Sequence, residues 1–531
     1  MQFERSSGVL LHLSSLPSSG GIGDLGPAAH QFVEFLASAG QHVWQVLPLS
    51  PTGYGNSPYA ASSAFAGNPS LVSLDVLAEW GWIAESRIES VPALSLVPDG
   101  SQAVDFEQVE QSKTPLLYEA AGNFLDRGAT SAESGASNAG FKKQWQQFEE
   151  FCREQSNWLG DYALYAELRR QFNTGAWTAW PEPLRKRDKS ALAEFAARNA
   201  RALQQEQALQ FAFSVQWNLL RKAAARSAIR IMGDVAIFVN MDSADVWVHP
   251  ELFELDEDLE PIRIAGVPPD YFSPTGQRWG NPLYRWDVLA NRGFDWWIDR
   301  IRHACLLYDI VRLDHFRGFE AYWAIPAEEK TAVKGEWVKG PGIELFHALQ
   351  AALGSLPLVA EDLGLITPEV DALRKQLGAP GMKVLQFGFG NRGAHNHLPH
   401  RMTVDTVAYT GTHDNDTTQG WWQSATKYER AAVDAYAGPV ADRPVWPLIR
   451  TAFASVAEMA IVPAQDLLEL GSEARMNTPA VPSGNWAWRA PNGAWTPELA
   501  ARLKATTEVT DRDNDPLQTH DDDSANPRTE S

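Results

Sequence analysis

Apolar residues along the chain gather into short, nearly continuous runs separated by amphipathic stretches. The runs are GVLLHLSSL (8–16), HVWQVLPL (42–49), AIRIMGDVAIFV (228–239), DIVRLDHF (309–316), LPLVAEDLG (356–364), MKVLQFGF (382–389), DTVAYTGTHD (405–414) and AQDLLELG (464–471). Strands buried on both faces read this way, whereas half-exposed strands alternate apolar with polar. Helical stretches between consecutive runs point to parallel crossovers. Eight such runs predict an α/β chain folded as a (β/α)8 TIM barrel, with functional residues at the C-terminal ends of its strands. Polar residues do end several runs: Asp234, Asp314, Glu361, His413 and Asp414.

Two spacings exceed a simple strand–helix unit. Residues 76–215 read as a largely helical insertion, and 240–300, rich in Pro, Gly, Trp and Tyr, as a loop-rich one. Both are expected on the face that carries the site. DRGATSAESGASNAG (126–140) is small and polar and reads as a mobile loop. From about residue 506 the chain is acidic and lacks apolar periodicity, which predicts a disordered tail over 506–531 behind a catalytic unit of 1–505.

Composition narrows the function. The 531 residues carry 44% hydrophobic side chains and a formal charge of -21. An acidic chain argues against nucleic acid, because phosphate binding needs clustered Lys and Arg. Two cysteines, Cys152 and Cys305, exclude a disulfide framework and fit a reducing compartment. The N-terminal stretch lacks the pattern of a signal peptide, and no run of about 18 apolar residues is present. The expectation is a cytoplasmic protein away from membranes. The 21 tryptophans offer flat apolar faces with a polar edge, suited to a core or to sugar rings.

DIVRLDHFRGFE (309–320) sharpens this. Strand side chains alternate, so Arg312 and Asp314 share a face. Asp314, Glu361 and Asp414 end three different runs, and a carboxylate beside a core is costly unless paired or used. One alternative is an ion pair or helix cap at each. Retaining glycoside chemistry uses such a set: an ionised nucleophile and a protonated general acid. Arg312 would hold Asp314 ionised, and the apolar PLVA before Glu361 would keep that acid protonated. Asp362 follows Glu361 but faces away. His413 and Asp414 would grip sugar hydroxyls in the transition state. His12, His315 and His413 have no metal-ligand spacing, and SSGGIGDLG (18–26) lacks the Lys-Ser/Thr of a phosphate loop, so neither metal nor cofactor is expected.

RLDHFRG (312–318), AEDLG (360–364) and GTHDNDT (411–417) resemble signatures of the 4-α-glucanotransferases called amylomaltases, or disproportionating enzymes, of glycoside hydrolase family 77 in the α-amylase clan. So do residues 47–69, GDVAIFVNMDSADVW (233–247) and RMNTP…GNWAWR (475–489), in family order from about Gly8 to Arg489. The resemblance implies a barrel that transfers α-1,4-glucan segments by a retaining mechanism. It makes Asp314 the nucleophile, Glu361 the general acid/base and Asp414 the transition-state stabiliser. Arg312 and His413 become their orienting partners, Asp234 a subsite and support residue, and Tyr59 an aromatic beside the donor. GVPPDYFSPTGQRWGNPLYRW (266–286) resembles the family's Pro-rich lid loop, with Tyr271, Phe272 and Trp279 over acceptor subsites and Gly276 and Gly280 at its bends. Tyr54 resembles a residue at a remote glucan-binding spot. Ala480 stands where the family carries Gly after RMNTP.

Maltodextrins are the expected partners, with the protein a monomer or weak homodimer. Two rivals stay open on the sequence: an α-1,4-glucan hydrolase using the same carboxylates, and a non-catalytic glucan-binding protein.

Overall fold

The computed structural model describes residues 3–91, 103–134, 139–173, 175–269, 273–390 and 392–513. Eight parallel strands nearly close into a barrel, labelled here in chain order: β1 Ser6–Leu10, β2 Val43–Gln45, β3 Arg230–Ala236, β4 Ile310–Asp314, β5 Leu358–Ala360, β6 Gly381–Val384, β7 Thr406–Tyr409 and β8 Met459–Pro463. Every ladder is parallel, from β6 through β7 and β8 to β1 and on through β2, β3 and β4 to β5. Ala360 N–H donates to Pro380 O at 2.9 Å and bridges the remaining gap between β5 and β6. Helices cover the outside, so both sheet faces are buried and the strands need no polar alternation. Val9, Trp44, Ile231, Val311, Val359, Val407 and Ile461 are all fully buried.

The eighth strand differs from expectation. AQDLLELG is not a strand; it opens the helix Ala464–Leu467, and the strand is the preceding MAIVP. Asp466 then turns inward, accepting from Thr410 Oγ1 at 2.6 Å and Thr418 Oγ1 at 2.6 Å.

The first insertion is helical, with helices Phe106–Ser134, Ala139–Glu154, Leu159–Phe172 and Ala200–Arg226. The mobile loop read at 126–140 is instead the end of one helix and the start of the next, with 135–138 outside the described residues. Gly128 serves packing: a Cβ there would sit 2.0 Å from the Trp145 ring. The helix Ala200–Arg226 also holds the loop after β2. Gln210 pairs with both N–H and C=O of Gly67 at 2.9 and 3.0 Å, and Gln216 with those of Ser73 at 2.8 and 3.1 Å.

The second insertion builds an antiparallel sheet in the order Gln277–Pro282, Arg263–Val267, Ala321–Pro326, Glu336–Lys339. Its last two strands come from beyond β4. The expected lid loop is a hairpin, not a plain loop. Gly276 and Gly280 do take positive φ, 66° and 86°. Residues 506–513 of the predicted disordered tail are ordered. The helix Pro497–Glu508 runs through residue 506, and Arg512 is fully buried, while 514–531 lie outside the described residues.

Candidate active site

Asp234, Arg312, Asp314, Glu361, His413, Asp414 and Tyr59 meet at the C-terminal mouth of the barrel. β3 and β4 pair with Asp234 opposite Arg312, and Ala236 opposite Asp314. Arg312 Nη1 lies 2.6 Å from Asp234 Oδ2 and 2.9 Å from Asp314 Oδ1, so one guanidinium edge serves two carboxylates. The Arg312 side chain is 4% exposed and Asp234 0%, against 27% for Asp314. Asp234 is therefore the buried anchor, and Asp314 keeps a face toward the opening. Burial pushes the Asp234 carboxyl up, opposed mainly by the Arg312 charge. Tyr59, delivered by the loop that Gln210 and Gln216 clamp, donates its hydroxyl to Asp234 Oδ2 at 2.7 Å.

Glu361 follows β5 directly. Its Oε1 accepts from Leu363 N–H at 2.9 Å and its Oε2 from His315 N–H at 2.8 Å. His315 reaches it because the residue after β4 turns left-handed, with φ 49°. Two backbone donors favour the ionised form, yet burial and then the Asp314 charge dominate and raise the Glu361 carboxyl to about 8. At neutral pH it carries a proton beside a carboxylate held by a guanidinium. Asp362 faces the other way, accepting from Met382 N–H at 2.6 Å.

His413 and Asp414 follow β7. The Tyr59 and His413 rings stack at 5.1 Å and 17°, and Trp486 lies 5.9 Å from each. This forms an aromatic wall beside the carboxylates. Trp279, 38% exposed, sets its edge against the His315 ring at 4.8 Å and 90°. The His315 ring is half-buried, and desolvation pushes it down to about 4, so it is neutral near pH 7. Tyr271 and Phe272 lie outside the described residues. Tyr54 is away from this cluster in its exposure, 78%, on the turn after β2.

Four neighbours carry no assignment from the sequence. Asn477 and Arg475 contact the 413–414 segment, Trp486 completes the wall, and His12 after β1 shares a small cavity with His413. Burial and the nearby His413 push His12 down to about 3. The RMNTP and GNWAWR blocks marked the first three as belonging to a pattern, but spacing cannot say which side chain a loop from after β8 will touch. Among the described residues there is no group of three or more His, Cys, Asp or Glu placed to hold a metal ion.

The family model described as 4-alpha-glucanotransferase matches residues 11–494. The chain is 48% identical to a 4-alpha-glucanotransferase of Thermus thermophilus, over 96% of this chain and 100% of that one. It is 46% identical to a 4-alpha-glucanotransferase of Synechocystis, over 95% and 98%. Its structure superposes on the amylomaltase from Streptococcus agalactiae in complex with acarbose with a TM-score of 0.88 at 36% identity, covering 96% of this chain and 100% of that one. A site of three carboxylates at the mouth of an eight-stranded barrel, matched at this level along almost the whole chain, places the protein among the 4-alpha-glucanotransferases, or amylomaltases, of glycoside hydrolase family 77.

Proposed function

We propose that the enzyme moves segments of α-1,4-glucan to a new 4-hydroxyl, on glucose or another glucan, by retaining double displacement. The observation that carries this is the contrast between two neighbouring carboxyls. Asp314 sits 2.9 Å from the Arg312 guanidinium, while Glu361 is raised to about 8. One is suited to attack and the other to give up a proton. In the first half-reaction Glu361 protonates the glycosidic oxygen as Asp314 attacks the anomeric carbon, and the leaving chain departs with that proton. The product is a glucosyl-enzyme ester on Asp314. In the second, Glu361 takes the proton of the acceptor 4-hydroxyl, whose oxygen displaces Asp314 and restores the original configuration. Asp414 and His413 hold hydroxyls of the distorted ring, Asp234 and Tyr59 support the donor side, and Trp279 covers the acceptor side. An aromatic cover limits attack by water, which favours transfer over hydrolysis. The working form in this reading is a monomer or weak homodimer in the cytoplasm, without cofactor.

Incubation with maltotriose alone tests the reaction. Longer maltodextrins together with glucose are expected; maltose and glucose without longer chains would make the protein a hydrolase. Asp314→Asn is expected to lower turnover by several orders of magnitude, about 10⁴-fold or more, with glucan binding kept. Unchanged turnover in that variant would refute the assignment of Asp314.

A further inference from the structure

Asp414 sits on a loop with 49% of its side chain exposed. A carboxylate in that position samples several rotamers unless donors hold it. A group that grips a sugar in the transition state is effective only when its geometry is set beforehand. Its own loop supplies little. Asp414 N–H donates to Thr412 Oγ1 at 3.3 Å, and His413 Nε2 lies 3.5 Å from Asp414 Oδ1.

The short contact comes from the segment after β8. Asn477 Nδ2 donates to Asp414 Oδ1 at 2.6 Å, and Asn477 N–H donates to His413 O at 3.0 Å. Arg475 Nη2 donates to Asp414 O at 2.7 Å, while its Nε donates to Asn477 O at 2.8 Å. Residues 475–477 therefore hold two consecutive backbone carbonyls and one carboxylate oxygen of the 413–414 pair. Asn477 makes the only hydrogen bond within 3 Å to that carboxylate among the described residues.

We propose that Asn477 is a positioning residue for glucan transfer: it fixes the Asp414 carboxylate through Oδ1 and leaves Oδ2 to the sugar hydroxyls. The side chain suits the task. A neutral amide donates a hydrogen bond without cancelling the charge that Asp414 brings to an oxocarbenium-like transition state. A carboxylate at 477 would repel Asp414. The inference rests on the reading of Asp414 as a group that touches the reacting sugar.

The test is maltotriose disproportionation by Asn477→Ala, Asn477→Asp and Asp414→Asn, with steady-state kcat and KM and a thermal melt of each. The backbone N–H of residue 477 survives in every variant, so the contact to His413 O is kept. Asn477→Ala is expected to lose about 10–100-fold in kcat with KM within about threefold of the parent, the range for one hydrogen bond to a charged group. Asn477→Asp is expected to lose more, with a similar melt. A kcat for Asn477→Ala within about threefold of the parent would overturn the inference. So would equal losses in the Ala and Asp variants, or losses that merely follow a lowered melting temperature. Asp414→Asn separates the two levels. Near-parental turnover there refutes the role of Asp414 itself, whereas an inactive Asp414→Asn beside a fully active Asn477→Ala refutes only the role of Asn477.

Discussion

Glu361, the general acid of the proposed mechanism, also carries a stability penalty. Its carboxyl titrates at about 8 in the folded protein against an ordinary value of 4.5. As pH rises through about 8 the acid loses its proton, so kcat/KM for maltotriose is expected to fall on the alkaline side of that value. A pH profile with its alkaline limb near the ordinary carboxyl range would contradict the burial argument. The same shift acts on folding. Between the two values the folded state keeps a proton that the unfolded state has released, so rising pH favours unfolding there. Glu361→Gln has no proton to lose, and its melting temperature is expected to exceed the parent's by more at pH 8 than at pH 5. Equal differences at the two pH values would mean that the carboxyl is not held protonated. At this scale the sequence already placed Asp314, Glu361 and Asp414 at run ends and put Arg312 on the face of Asp314. It could not show that Asp234 shares the same guanidinium, because that contact depends on the pairing of β3 with β4.

At the scale of elements, the helix Phe106–Ser134 is tied to the barrel by a buried ion pair. Lys113 Nζ donates to Asp24 Oδ2 at 3.0 Å and to Ser70 O at 2.9 Å, with side-chain exposures of 0% and 4% for the pair. Removing one partner of such a pair leaves the other charge buried. Lys113→Met is therefore expected to cost about 3–5 kcal/mol, and the double variant Lys113→Met/Asp24→Asn less, by denaturant unfolding. A loss under about 1 kcal/mol for the single variant would show that Asp24 finds another partner. Elements with long, continuous apolar runs were legible in the sequence. The exceptions are instructive. MAIVP and AQDLLELG adjoin and are similarly apolar, and short runs carry no period that separates strand from helix. The hairpin of 263–282 was invisible as a sheet because its third and fourth strands lie beyond β4.

For the whole molecule, Arg5 before β1 and Arg512 after the helix Pro497–Glu508 meet at the N-terminal face of the barrel. Arg512 donates to Phe453 O, Ser455 O, Ala457 O and Ser6 O at 2.7, 3.1, 3.0 and 2.8 Å, and Arg5 donates to Phe453 O, Ser455 O and Thr510 O at 3.1, 2.9 and 3.0 Å. Two guanidiniums thus satisfy Phe453 O at the end of the helix Val445–Phe453, which has no intrahelical partner, and carbonyls of the turn that follows it. Burial and the nearby Arg5 push Arg512 down to about 9. Arg512→Ala is expected to lower the melting temperature by at least roughly 2 °C without changing KM for maltotriose. An unchanged melt would mean that residues 506–513 contribute nothing to the barrel. By itself the sequence determined the barrel, its helical insertion and the three carboxylates, because continuous apolar runs and residues at strand ends are local patterns. Only the tertiary structure decided which loop holds Asp414, which aromatic rings form the wall, and how residues 506–513 pack against the barrel. Those are contacts between segments up to hundreds of residues apart, and nothing in a local pattern specifies its distant partner.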